Sequence, residues 1–315
     1  MPKCVALFQI VRRSLCGVCL FLSAAQAFGD AGLERRAVLA TIKPLQLIAA
    51  ALTDGVKTSN PVLLLEPGTS PHDYALRPSD IKHIARAGVI FRIGDSLEHF
   101  LDRSLKQHAK GAIVVDMQSL AGMRLLSQSP EQRKSQEREA RTSSYDPHLW
   151  LDPENVRLMA QAMTRALQKY DPTHASTYRS NCHSFEQRLI EVDNKNRKVL
   201  QQKGGRALFV FHDAWGYFTS HYRLSIAGTM AITPEQQPGA RHIQEIRNQI
   251  ERSGKACLFR EPQFRPRYLD AVTRGLDVDV IELDPLASDI AVHKGGYFDF
   301  LAQLTERIKG CLASP

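Results

Sequence analysis

Apolar residues in this chain gather into short continuous runs that alternate with amphipathic stretches, and the rhythm is found in both halves. In the first half, residues 37–42 (AVLATI), 61–65 (PVLLL), 88–93 and 112–115 have the length and branched-chain content of strands buried on both faces. Helices are predicted between them. Pro44 opens one that runs through Leu52, and residues 78–87 form another with proline in its first turn. In the second half, 207–211, 224–227, 256–259 and 278–283 read as strands, while 214–221, 241–253, 267–274 and 297–309 read as helices. Strands that alternate with helices predict an α/β fold of parallel sheets covered by helices.

Two segments break the rhythm. Residues 127–144 (SQSPEQRKSQEREARTSS) are polar and nearly free of apolar side chains, which predicts a mobile surface loop. After a helix over 153–170, begun by an Asp152-Pro153 cap, Asp171-Pro172 opens a helical pattern that reaches about Lys203. Tyr178, Phe185, Leu189, Val192 and Val199 give that pattern one apolar face, and Gly204-Gly205 ends it. A helix of roughly 30 residues is about 45 Å long. The predicted organisation is therefore a lobe over 28–170, a linking helix over 171–203 and a second lobe over 204–315.

Residues 1–27 read as a cleavable export signal. Lys3, Arg12 and Arg13 precede an apolar stretch from Leu15 to about Ala25, and Ala25-Gln26-Ala27 offers a small-x-small exit before Phe28. The stretch is well short of the roughly 20 residues that span a bilayer. The expected mature protein is soluble and exported. Its formal charge falls from +8 to +5 once the three basic leader residues are gone. That mild excess, without an aromatic-interleaved basic stripe, gives no nucleic-acid signature. Cys4, Cys16 and Cys19 leave with the leader, while Cys182, Cys257 and Cys311 remain. Export permits a disulfide, but three cysteines leave one unpaired.

The chemistry sits at the ends of the apolar runs. His72 lies in the stiff loop EPGTSPHDY after the second run, and His148 in YDPHLWLDP at the end of the polar loop. His212 follows ALFVF, and Asp284 follows VIEL. Neutral imidazole is the commonest protein ligand for zinc, and side chains at strand ends converge in one crevice of an α/β fold. Any one of these residues alone is an ordinary core, surface or turn residue. Four at equivalent topological positions, two from each lobe, point to a metal site. Asp73, Asp146 and Asp213 stand where they orient imidazoles or cap turns. Tyr74, Trp150 and Trp215 either wall the site or pack in the core; Glu261 has a place near the cleft as its alternative but is taken as structural.

The segments PGTSPHDYALRPSD, DPHLWLDPEN, LFVFHDAWGYF, FREPQFRP and ELDPLAS, in that order, resemble the zinc substrate-binding proteins of ABC importers, the ZnuA type. The resemblance covers nearly the whole mature chain. It implies two α/β lobes joined by one long rigid helix, with the metal in the cleft between them. It also implies a monomeric periplasmic protein, not an enzyme, that delivers zinc to a membrane permease. By position, His72, His148 and His212 match the family's metal histidines, and Asp284 matches an aspartate that is a ligand in many members. Pro71 stands where some zinc members carry a glutamate, so Asp284 or a water is the expected fourth partner. Manganese-binding members carry a glutamate where this chain has His212, and three imidazoles suit zinc better than manganese. Residues 127–144 lack the histidine-rich run of many zinc members. Cys257 and Cys311 match a cysteine pair of some members, which implies a disulfide, and Cys182 is read as a buried apolar residue. The alternatives are a manganese-binding member, a zinc-dependent hydrolase, or a surface adhesin.

Overall fold

A computed structural model describes residues 37–57, 59–128, 145–201, 205–231, 238–264 and 268–313. The expected leader over 1–27 and all but the first two residues of the polar segment 127–144 lie outside the described residues. Ser127, at its start, forms an antiparallel bridge with Tyr145, the residue that follows it.

The first sheet takes β1 (Ala37–Ala40), β2 (Pro61–Leu63), β3 (Ala87–Arg92) and β4 (Ile113–Asp116), all parallel, in the order β2-β1-β3-β4. Helices α1 (Lys43–Leu52), α2 (Pro78–Arg86), α3 (Asp95–Glu98), α4 (Asp102–His108) and α5 (Pro153–Tyr170) accompany it. Continuous apolar strands are satisfied here because helices cover both faces; every residue of β3 is buried. Pro44 sits in the first turn of α1, where its missing N–H costs nothing. Asp152 caps α5 by accepting the Glu154 N–H at 3.0 Å, as its sequence predicts. Helices α3 and α4 have no counterpart in the sequence reading. Helix α4 buries no residue fully, so it leaves no apolar period to detect.

Helix α6 (Ala175–Leu200) follows a short 3-10 turn over Pro172–His174. Its 26 residues span about 39 Å. Tyr178, Cys182, Phe185, Leu189 and Val192 form its buried face, which continues through Asn196 and Leu200. Val199, expected on that face, is only partly buried, because steps of four residues carry the stripe to Leu200 instead.

The second sheet repeats the first. Strands β5 (Ala207–His212), β6 (Ile226–Ala231), β7 (Lys255–Arg260) and β8 (Asp277–Glu282) are parallel in the order β6-β5-β7-β8. Helices α7 (Gly216–Tyr222), α8 (Ala240–Ser253), α9 (Leu269–Thr273) and α10 (Gly296–Leu312) surround it. Strand β6 lies later than its apolar run suggests, because Gly228 and Thr229 continue the pairing with β5. A Cβ at Gly228 would come within 2.9 Å of Phe209, so the glycine makes room for that ring.

The two sheets share a core. One continuous cluster holds Val38, Leu45 and Phe91 from the first half, Phe185 and Leu189 from α6, and Phe259, Tyr297 and Leu301 from the second half. Helix α6 packs on α1, α5 and α10, and α10 also touches α1. Cys257 on β7 and Cys311 on α10 are joined by a disulfide, and Cys182 is buried and unpaired. Among the described residues, no helix is long and apolar enough to cross a membrane.

Candidate metal centre

In each sheet the strand order reverses direction between its two middle strands, and the crevice at the carboxyl ends of such strands is where open α/β sheets bind ligands. The candidate residues lie there. His212 is the last residue of β5 and is 3% exposed. His148 precedes the 3-10 turn Leu149–Leu151 that leads into α5, and is 2% exposed. His72 lies in the loop after β2 and is half-buried. That loop is fixed locally: Thr69 N–H donates to the Glu66 carbonyl at 3.1 Å, and His72 N–H to the Ser70 hydroxyl at 3.3 Å.

The three rings converge. Their centroids are 5.2 Å apart for His72 and His148, 5.6 Å for His72 and His212, and 5.2 Å for His148 and His212. One nitrogen from each ring lies within 4.8 Å of the other two, and no other such group of three occurs among the described residues. The Nε2 atoms of His148 and His212 are 3.3 Å apart. Zinc–nitrogen bonds of about 2.0–2.1 Å at tetrahedral angles place two ligand nitrogens about 3.3–3.4 Å apart. The buried pair is therefore spaced as one edge of a tetrahedral site.

Both buried rings lean on a carboxylate through the other nitrogen. His148 Nδ1 is 2.7 Å from Asp146 Oδ1, which also accepts the His148 backbone N–H at 3.0 Å. His212 Nδ1 bonds to Glu261 Oε1. A carboxylate at Nδ1 fixes the proton there and leaves Nε2 with its lone pair for a cation. Burial pushes the Asp146 carboxyl up to about 7, against the pull of the His148 backbone N–H. Burial and the neighbouring His212 hold the His148 imidazolium well below its ordinary value, so this ring is neutral at physiological pH. Gly216 opens α7 beside Asp146; a Cβ there would stand 2.9 Å from Asp146 Oδ2, so the carboxylate fits because the residue is glycine.

Trp150, Phe264, Pro71, Pro285 and Leu286 wall the pocket with apolar surface, leaving room for about one water-sized sphere. Trp150 stands 5.3 Å from the His148 ring and its indole N–H donates to the Pro285 carbonyl at 2.7 Å. Tyr74 and Trp215 pack in the core instead. Asp73 is exposed, and Asp213 is half-buried.

Asp284 stands apart from the converging ring nitrogens. It is 2% exposed, and both oxygens are occupied: Oδ1 accepts from Gln263 Nε2 at 2.7 Å and Leu286 N–H at 2.9 Å, Oδ2 from Ser288 N–H at 2.6 Å. Glu261, by contrast, belongs to the site although the sequence reading treats it as structural. Its signal is the one that marks the histidines, a polar residue that closes an apolar strand. The missing step is register: Val210 pairs with Phe259, and two residues further on His212 meets Glu261 across the middle of the sheet.

Comparison with known proteins finds similarity to zinc-uptake proteins. Residues 38–311 match the family model described as "Zinc-uptake complex component A periplasmic". The high-affinity zinc uptake system protein ZnuA of Yersinia pestis is 36% identical, with 89% of this chain and 92% of that protein covered. The corresponding protein of Brucella suis is 31% identical over 93% of this chain and 98% of its own length. At the level of fold, a crystal structure of ZnuA superposes with a TM-score of 0.75 at 23% identity, over 88% of this chain and 99% of that one. The periplasmic zinc-binding protein TroA of Treponema pallidum does so with 0.74 at 22% identity, over 89% and 100%.

Proposed function

This chain belongs to the family of periplasmic A components of zinc-uptake complexes, and from that premise we propose that it captures zinc at its three converging histidines and delivers it to the membrane permease of an ABC importer. The observation that carries the reading is the 3.3 Å separation of the His148 and His212 Nε2 atoms, with His72 closing the group. Two imidazole lone pairs that face each other inside a protein repel unless a cation or proton lies between them. A divalent cation that favours nitrogen satisfies the arrangement.

His72, His148 and His212 are the proposed protein ligands, with a water in the fourth position. Asp284 is the proposed anchor of the loop that bears Pro285 and Leu286, since three donors already hold its carboxylate. Zinc accepts three imidazoles and a water, whereas manganese prefers more oxygen than this site offers. Both carboxylates beside the pocket are bonded to ring nitrogens, which favours capture and release over hydrolysis of a substrate. The disulfide supports export to an oxidising compartment, as the periplasmic reading requires.

Calorimetry on single variants tests the assignment. His148→Ala and His212→Ala should each weaken zinc binding by about 100-fold or more, since each removes one of three protein ligands. Unchanged affinity in both would overturn the site.

A further inference from the structure

His148 and His212 each carry a buried acidic partner, and one of those partners, Glu261, is taken as structural from the sequence. Its carboxylate is 2% exposed, so no water competes for it from the surface. It meets His212 because β5 and β7 are adjacent parallel strands whose register sets residue 212 beside residue 261. Rigid strand ends hold both groups, and neither side chain depends on a loop for its place. The geometry at His148 is the same by a different route: Asp146 reaches Nδ1 from two residues away in the chain, at 2.7 Å. One arrangement thus arises twice at one pocket, once from sheet register and once from a local turn.

We propose that Glu261 is a positioning residue for metal capture: it holds the proton on His212 Nδ1, aims Nε2 at the ion, and supplies an anionic charge behind the ring. This deepens the zinc reading of the three-histidine site and rests on it. A three-imidazole site has no charge of its own to set against a dication. Here the Glu261 carboxylate stands one ring-width away, without occupying a coordination position. The ion keeps a nitrogen-rich set of contacts while its charge is balanced from behind. Partners of this kind commonly alter metal affinity by about 10–100-fold.

The test uses the leader-free chain with and without zinc. Glu261→Gln keeps the shape and loses the charge; Glu261→Leu loses both. We expect about a 10-fold loss of zinc affinity for the first and about 100-fold for the second. A double-mutant cycle separates positioning from general packing: in a His212→Ala background, Glu261→Gln should change zinc affinity by less than about twofold. An equal loss in both backgrounds, or wild-type affinity in Glu261→Leu, overturns the proposal. A second measurement is independent of zinc. Nitrogen-15 spectra of the histidine rings in the metal-free protein should show a proton on His212 Nδ1 in the wild type and a mixed proton position in Glu261→Leu. A bare Nδ1 in the wild type overturns the proposal even if zinc binds, whereas failure of the wild type to bind zinc with Nδ1 protonated overturns only the function proposed for the site.

Discussion

At the scale of single residues, position along a strand matters more than residue type. His212, Asp284 and Glu261 each follow an apolar strand, yet the fold gives them three different tasks. His212 presents Nε2 to the pocket, Glu261 stands behind it, and Asp284 turns its oxygens to two backbone N–H groups and Gln263. Asp284→Asn should therefore reduce zinc affinity by less than about 10-fold, far less than loss of His148, while lowering stability by about 1–3 kcal/mol as the loop donors lose a charged acceptor. Competition with a chromophoric chelator reads the first quantity and denaturant unfolding the second; a loss of zinc binding equal to that of His148→Ala would make Asp284 a ligand. The convergence of the histidines was legible in the sequence because all three stand at equivalent places after or beside apolar runs, although each one alone is an ordinary residue. The division of labour between two acidic residues was not, since it depends on strand register and on which way a carboxylate turns.

At the scale of elements, the long helix α6 is more than a spacer. Its Asp193 reaches His221 of α7, with Oδ1 2.7 Å from Nε2, while the other ring nitrogen lies 3.2 Å from Asp152, the cap of α5. Arg124 holds Asp152 at 2.8 Å and Arg197 holds Asp193 at 3.1 Å; the Arg197 guanidinium also comes within 2.9 Å of His221. Three helices thus meet at one imidazole. Burial opposes its charge, but the bonds to Asp152 and Asp193 outweigh burial and raise it from 6.5 to about 9. Because the folded value lies above the unfolded one, this cluster stabilises fully below about pH 6.5 and its contribution fades as pH rises through about 9. The whole effect is up to about 3 kcal/mol. Urea midpoints of the metal-free protein should fall between pH 7 and pH 10, and His221→Gln should flatten that fall; a midpoint independent of pH in the wild type would contradict the cluster. The helices themselves were readable from caps and apolar steps. Helices α3 and α4 were not, because α3 is a single turn and α4 lies on the surface without a buried stripe.

At the scale of the molecule, the halves are joined by packing as much as by α6. Tyr297 of the second half donates to the Trp150 carbonyl at 2.7 Å, while Trp150 donates back to Pro285, and both rings are buried in the shared core. The Cys257–Cys311 disulfide ties the last helix to the second sheet across 54 residues, worth about 4 kcal/mol in the chain-entropy account. Replacing both cysteines with alanine should lower the denaturant midpoint by a corresponding amount and leave zinc affinity unchanged; an equal midpoint would mean that packing alone fixes α10. The alternation of strands and helices made the two-sheet architecture readable in advance, since a buried parallel sheet demands it. The common core was not readable, because apolar periodicity says which face is buried and not against what.

The central claim is a single nitrogen-rich site for one divalent ion. Its most direct test is a zinc titration of the untagged protein without residues 1–27, followed by competition with manganese. The account predicts one zinc per chain with sub-micromolar affinity, and manganese weaker by about 100-fold or more. Absence of zinc binding, or manganese binding as tightly as zinc, would contradict it.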